Sequence, residues 1–508
     1  LGRKGQKMRL LDLRRLPSFK AGSLFLRKSD LRNLAEIKAD LTYHARRYVG
    51  EDKQGRPIME SHISGCGYVE CDTHLMVPRE YPVPDGVEVL DIAPPGRSFS
   101  HMEDRVTSFL DDDQEAAWVA LEASEGGLVH IPGGRGKTIL AIKKIVQRGK
   151  EAIIILPTLS IVHNWMDELK SKGGIRASDI GFFQGQNFDE LEKPIVIASL
   201  KSLSRKAGVF PYEVRTKFGT VVVDEAHHLG SATHQLVASM FWGKRFGFTA
   251  EVTRGDNTTP LVYHHLGPTI YESYYHSLTP TVRFKLIPSD LTDKSPELID
   301  RRRTFNFQKL WSILAKDPNF NAHIFKDVEW YLAQDRVPMV FTHKPSHADF
   351  LQKEFTSKGV QTGIITGKIN WKKRQTELLT NDLVVGTLGA AREGLNKLRL
   401  DLVLLTMPTG RRAKGRFLQA IWRALRDVEG KTRNPLVIVY VPDLDPCRAL
   451  AEIMRRFAEE RGYFIERFES GVGAVQTVST SRKQDTDGVR SRKRKAFGSV
   501  PWGRPGGA

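Results

Sequence analysis

The sequence predicts an α/β protein in which two parallel-sheet units follow one another, with a small α+β segment in front and a basic tail behind. Two series of short apolar runs carry this reading. The first is LVHI (128–131), AIIILP (152–157), PIVIAS (194–199), TVVVDE (220–225) and RFGFTA (245–250). The second is VPMVFTH (337–343), GIITG (363–367), LVVGT (383–387), LVLLTMP (402–408) and PLVIVYV (435–441). Continuous apolar runs separated by helical patterns mark strands buried on both faces by crossover helices. The polar stretch IPSDLTDKSPELIDRRRT (287–304) reads as the linker between the two series. The units are therefore drawn as residues 1–95, 96–285, 286–475 and 476–508.

Residues 1–95 begin basic and become turn-rich. GYVECDTHLMVPREYPV (67–83) has the look of a strand or hairpin, and Asp85-Gly86 with Pro94-Pro95-Gly96 close the segment. His62, Cys66, Cys71 and His74 lie close in sequence, but their spacing is not a standard zinc pattern. The tail from about residue 476 is polar and Gly-rich, carries SRKRK at 491–495 and has no hydrophobic period, so it is expected to be disordered.

A net charge of +18 and a composition 40% hydrophobic fit a protein with real cores and a polyanionic partner. No apolar run reaches the roughly 18–20 residues of a membrane span, so no membrane role is expected. Three cysteines, Cys66, Cys71 and Cys447, make no disulfide framework and point to a reducing compartment. The chain starts at Leu1, and Met8 is an alternative start.

Two segments carry chemistry. GLVHIPGGRGKTILAI (127–142) is a strand, a glycine-rich loop and a helix start. Gly133, Gly134 and Gly136, with Arg135 among them, let the backbone turn its N–H groups toward phosphate oxygens. Lys137 reaches the β/γ-phosphates, and the Thr138 hydroxyl suits Mg²⁺. GTVVVDEAHHL (219–229) is a strand that ends in a carboxylate pair. Asp224 would hold Mg²⁺, and Glu225 would orient or deprotonate a water. The pair implies ATP and Mg²⁺ as cofactors. Ile131 stands where the strict phosphate-loop pattern has glycine, while Pro132 to Thr138 keeps its narrower form.

With these motifs in two tandem α/β units, the chain resembles superfamily 2 helicases, and most closely their XPB-like and UvsW-like DNA helicases, bacteriophage recombination and branch-migration helicases included. The resemblance spans roughly residues 75–445. It implies two RecA-like motor domains, with residues 1–95 as an accessory, DNA-recognising domain. Gln114 matches the family's adenine-reading glutamine. IIILPTLSIVHNWMDEL (153–169) and IVIASLKSL (195–203) resemble backbone-contacting motifs; Phe248-Thr249-Ala250 resembles the coupling element, with His227 as its partner. In the second unit VFTHK (340–344), IITGK (364–368), VVGTLGAAREGLN (384–396) and RFLQAIWRALR (416–426) resemble the later motifs. The resemblance implies nucleic-acid contacts from Pro157, Thr158, Ser199, Thr366 and Thr387. It also implies Gly394 near the nucleotide, Gln419 at the γ-phosphate or the attacking water, and Arg423 and Arg426 as arginine fingers. The sequence departs from the pattern at Trp422, where glycine is usual, and at Glu251-Val252, which replace Thr-Pro. The Ser-Ala-Thr and Gln-Arg-x-Gly-Arg-x-Gly-Arg motifs of RNA-processing DEAH proteins are not present.

The expected function is an ATP-dependent DNA helicase or translocase acting in recombination, repair or replication. Its partner would be single-stranded, duplex or branched DNA, together with recombination or replication proteins, and it would act as a monomeric motor. The location would be bacterial or phage-infected cytoplasm, or the nucleus in a eukaryote. A restriction-type duplex translocase, an RNA helicase and an ATP-switched nucleic-acid clamp are the alternatives.

Overall fold

The computed structural model describes residues 17–51, 57–109, 111–185, 187–205, 210–250, 256–274, 278–300, 304–367, 369, 371–390, 400–408 and 433–468. The basic tail lies outside the described residues.

The N-terminal part is a small sheet with one helix and a separate hairpin. Strands β1 (Ser18–Lys20), β2 (Leu24–Arg27), β5 (Val69–Glu70), β6 (His74–Val77) and β7 (Val89–Asp91) pair in the order β5-β6-β2-β1-β7. The helix Leu34–Asp40 closes a core of Leu24, Leu26, Ile37, Leu41, Leu75 and Val77. Segment 67–83 thus contains the expected hairpin, β5 against β6. Strands β3 (Thr42–Glu51) and β4 (Pro57–Cys66) form a second, two-stranded sheet. The Cys66 thiol is bonded to the Tyr68 carbonyl and the His74 ring to the Thr73 hydroxyl.

Two buried arginines fasten this part to the next. The Arg79 guanidinium donates to the carbonyls of Ala21 and Trp242, the latter at 2.8 Å. Arg245 donates to His265 O at 2.9 Å, to Phe241 O at 3.2 Å and to Gly22 O. A β-carbon at Gly22 would lie 2.1 Å from the Ser239 carbonyl oxygen, so only glycine passes there.

The first large sheet holds β8 (Gly127–His130), β9 (Ala152–Leu156), β10 (Ile180–Phe183), β11 (Ile195–Ser199), β12 (Thr220–Asp224), β13 (Lys244–Thr249) and β14 (Thr269–Glu272). Their order is β10-β11-β9-β12-β13-β8-β14, and every pairing is parallel. On one face pack the helices Lys137–Arg148 and Val162–Gly173, through Leu140, Ile142, Ile145, Trp165 and Leu169. Leu200, Leu203, Val237, Phe241 and Val262 cover the other face. Burial on both faces is why β8, β9 and β11 read as unbroken apolar runs.

The second large sheet holds β15 (Thr281–Ile287), β16 (Pro338–Thr342), β17 (Thr362–Ile365), β18 (Leu383–Thr387), β19 (Leu402–Leu405), β20 (Leu436–Pro442) and β21 (Phe464–Phe468). It is also all parallel, in the order β17-β18-β16-β19-β20-β15-β21. Strand β15 lies across the boundary drawn at 285/286 and belongs wholly to this sheet. The polar segment that follows it is more than a linker: Leu298, in the short helix Pro296–Leu298, is fully buried in the second core.

Candidate active site

In a parallel sheet the loops at the carboxyl ends of the strands converge, and ligands bind in the crevice they form. The glycine loop leaves β8 at that edge. Gly134 and Gly136 adopt positive φ, 82° and 69°, a region that favours glycine. Gly136 caps the helix Lys137–Arg148, and its carbonyl accepts from Leu140 N at 3.1 Å. The N–H groups of that first turn and the helix dipole favour an anion over the loop. The Lys137 ammonium folds back onto the carbonyls of Ile131 (3.3 Å) and Pro132 (3.1 Å), which holds its charge across the mouth of the cradle.

Gln114 is joined directly to this loop. It is buried, and its side-chain amide donates to the Arg135 carbonyl at 3.3 Å. Asp111 caps the helix Asp112–Glu122 by accepting from Gln114 N at 3.0 Å, and its other carboxylate oxygen pairs with the Arg135 guanidinium.

The carboxylate pair stands at the end of β12. Asp224 accepts from the Trp165 indole N–H at 3.1 Å and from Glu225 N at 2.9 Å. Burial and the neighbouring Glu225 charge raise the Asp224 pKa, opposed by the Lys137 charge and the Trp165 hydrogen bond. A half-buried carboxylate pair near one ammonium is short of positive charge. With the Thr138 hydroxyl in the first turn of the helix, this donor set suits Mg²⁺. Glu225 has φ 45° and ψ 53°, left-handed backbone that costs a non-glycine residue roughly 1–3 kcal/mol and that clusters at functional sites.

The expected coupling residues do meet. His227 Nδ1 lies 3.0 Å from Thr249 Oγ1 and 3.6 Å from the Glu225 carboxylate. The Thr249 carbonyl accepts from Ile131 N at 3.1 Å, and the Ala250 carbonyl lies 3.3 Å from His130 Nε2. The end of β13 is thus tied to the carboxylate loop and to the phosphate loop together.

The expected nucleic-acid contacts are more varied. Pro157 and Thr158 are half-buried beyond the end of β9. Ser199 is buried and accepts from Ser202 N at 3.4 Å, capping the helix Leu200–Ser204. Thr366 is buried just after β17, and Thr387 is half-buried at the end of β18. Gly394, Gln419, Trp422, Arg423 and Arg426 lie outside the described residues. Sequence reasoning missed the roles of Trp165 and Asp111. For Trp165 the available signal was a buried indole N–H, which needs an acceptor.

Residues 102–254 match the family described as "Type III restriction enzyme, res subunit". The chain is 25% identical over 169 residues to the DNA 3'-5' helicase XPB of Mycobacterium tuberculosis, a match covering 32% of this chain and 30% of that one. It is 22% identical over 330 residues to D10 of Escherichia phage T5, described as a helicase, covering 62% and 68%. Together these matches support a superfamily 2 helicase of XPB-like kind. A third relative, L396 of Acanthamoeba polyphaga mimivirus, is described as an ATP-dependent RNA helicase; it is 21% identical over 474 residues, covering 86% of this chain and 84% of that one. The chain spans about a quarter to two fifths of the length of the Rad25 and XPB relatives it matches. Among the described residues no helix is long and apolar enough to cross a membrane.

Proposed function

We propose that this superfamily 2 chain is an ATP-driven DNA motor, a helicase or translocase, that works on branched or duplex DNA in recombination, repair or replication. The observation that carries the reading is the joining of the phosphate cradle, the carboxylate pair and the end of β13 through the 3.0 Å contact of His227 with Thr249. A water attacks the γ-phosphorus of ATP in line, the bond to the bridging oxygen breaks, and ADP and phosphate leave. Glu225 orients that water and takes its proton. Lys137 neutralises charge on the leaving phosphates. Asp224 and Thr138 would hold Mg²⁺, which when bound supplies further charge neutralisation at the β/γ-phosphates. By the resemblance of their motif, Gln419 is proposed to reach the γ-phosphate or the attacking water, and Arg423 and Arg426 the γ-phosphate, from the second domain. Pro157, Thr158, Thr366 and Thr387 are proposed to grip the strand, with Ser199 shaping its loop by capping a helix. The high net positive charge supports a polyanion as partner.

The steady-state ATPase rate with no nucleic acid, then with single-stranded DNA, duplex DNA, a four-way junction and RNA, tests this. Stimulation by DNA, greatest with the junction, is the expected result. Stimulation by RNA alone would favour the second reading, an RNA helicase, which the L396 match supports. A flat, near-zero rate throughout would leave the nucleic-acid clamp.

Trp165 gives a narrower prediction. Removing the indole N–H in Trp165→Phe leaves an aromatic ring in the core and deprives Asp224 of a donor that orients it. The Mg²⁺ concentration needed for half-maximal binding of a fluorescent ATP analogue should rise about tenfold or more, the usual cost of losing such an outer partner. An unchanged Mg²⁺ dependence would show that the indole only fills space.

A further inference from the structure

The helix turn that carries Gln114 is hydrogen-bonded to the segment that leads into the second domain. Asp111, Asp113 and Gln114 lie within four residues of one another. Asp111 holds the Arg135 side chain and Gln114 the Arg135 carbonyl, both on the phosphate loop. Asp113 turns the other way. One of its carboxylate oxygens accepts from Tyr271 OH at 2.9 Å and from Ser273 Oγ at 2.7 Å. Tyr271 is on β14, the last strand of the first sheet, and Ser273 follows that strand directly. From Ser273 the chain has only seven further residues before β15 opens the second sheet at Thr281.

The same segment is anchored a second time. Ser273 N donates to the His130 carbonyl at 2.9 Å. The His130 ring lies 2.8 Å from the Glu272 carboxylate and 3.3 Å from the Ala250 carbonyl, and Tyr274 OH donates to Glu272 at 2.7 Å. A small cleft opens beside it, lined on the first domain by His130, Pro132, Ser273 and Tyr274 and on the second by Arg461 and Tyr463. The start of the connector therefore faces the phosphate loop on one side and the second domain on the other.

From this geometry we infer that Asp113, Tyr271 and Ser273 are positioning residues that transmit occupancy of the nucleotide loop to the interdomain connector. The inference rests on the reading of the chain as an ATP-driven motor and adds a route separate from His227 and Thr249. When ATP orders the capped first turn of the helix Asp112–Glu122, the Asp113 carboxylate fixes the starting direction of the connector and so biases how the second domain closes. None of the three residues touches the reacting atoms. Their loss should leave nucleotide binding in place and weaken the response to DNA.

The test uses the full chain and the double variant Tyr271→Phe/Ser273→Ala, which removes both donors and leaves Asp111, Asp113 and Gln114 intact. Three quantities are compared: affinity for a fluorescent non-hydrolysable ATP analogue, DNA-stimulated ATPase, and hydrogen exchange in peptides spanning 269–280 with and without the analogue. In the parent the analogue should slow exchange in those peptides. In the variant that protection should be lost and DNA stimulation should fall about tenfold, while analogue affinity and the basal rate stay within about twofold. The single variant Asp113→Asn should give an intermediate loss of protection. Protection in the double variant equal to the parent's would overturn the inference, and so would a parent that binds the analogue without protection. A parent that binds no analogue and shows no DNA-stimulated ATPase would sink the motor reading itself, and this proposal with it.

Discussion

Replacing Glu225 by glutamine is expected to cut ATP turnover by a factor on the order of 10²–10⁴, the range for losing a positioned general base. Affinity for ATP should stay within a few-fold, because on the proposed reading the glycine loop, Lys137 and the helix N-terminus grip the phosphates and Glu225 does not. Single-turnover hydrolysis beside equilibrium binding of a fluorescent analogue separates the two effects. Equal losses in both would place Glu225 in ground-state binding and remove it from the chemical step. The backbone supports the catalytic assignment. A residue at φ 45° is held against its own preference, here by the Glu225 N–H bond to Asp224 and by the pairing of β12 with β13. Glu225→Gly should therefore be no less stable than the parent, and should be equally inactive.

The second large effect concerns the joint between the N-terminal part and the first domain. Arg245→Ala removes one guanidinium from three backbone carbonyls, those of Gly22, Phe241 and His265, in a site that is almost wholly buried. Burial, reinforced by the nearby Arg79 charge, presses on the Arg245 cation, so the site is held together by its hydrogen bonds. Stranding those carbonyls should cost about 3 kcal/mol, or roughly 6–12 °C in Tm for a domain of this size. Differential scanning calorimetry reads the loss. Hydrogen exchange in residues 17–27 should rise with it, since the Gly22 turn loses its anchor. A melting temperature within about 1 °C of the parent's would mean that water replaces the guanidinium at little cost.

Both expectations draw on features of unequal legibility in the sequence. The glycine loop and the carboxylate pair were readable because the residues of each are adjacent in the chain. The ten strands read as apolar runs are all present. In the two large sheets four others, β10, β14, β15 and β21, were missed, and β15 shows why. Its sequence, TVRFKLI, places Arg283 and Lys285 inside a sheet. Those charges are tolerated because Arg283 donates to Glu466 at 2.9 Å and Lys285 to Asp327 at 2.8 Å. The partners lie 183 and 42 residues away, so no local pattern could announce them. Trp165 is a similar case: the indole was legible as a family marker, but its acceptor, Asp224, is 59 residues further on. The boundary at 285/286 failed for the same reason, since the polar run after β15 looks like a linker until Leu298 is seen buried in the second core.

The strand order also has a consequence for how the chain is made. Strand β15 pairs with β20 and β21, so residues 281–287 must wait for residues 436–442 and 464–468. Pairings so distant in sequence close slowly, and an unpaired parallel edge stays open to other chains in the meantime. The N-terminal part waits as well: β1 finds β7 only after residue 91 has emerged, and the Gly22 turn finds its anchor only after residue 245. During synthesis on the ribosome this protein therefore spends most of its elongation with incomplete sheets. Slower translation, lower temperature or a holdase chaperone should raise its yield more than any change to its surface.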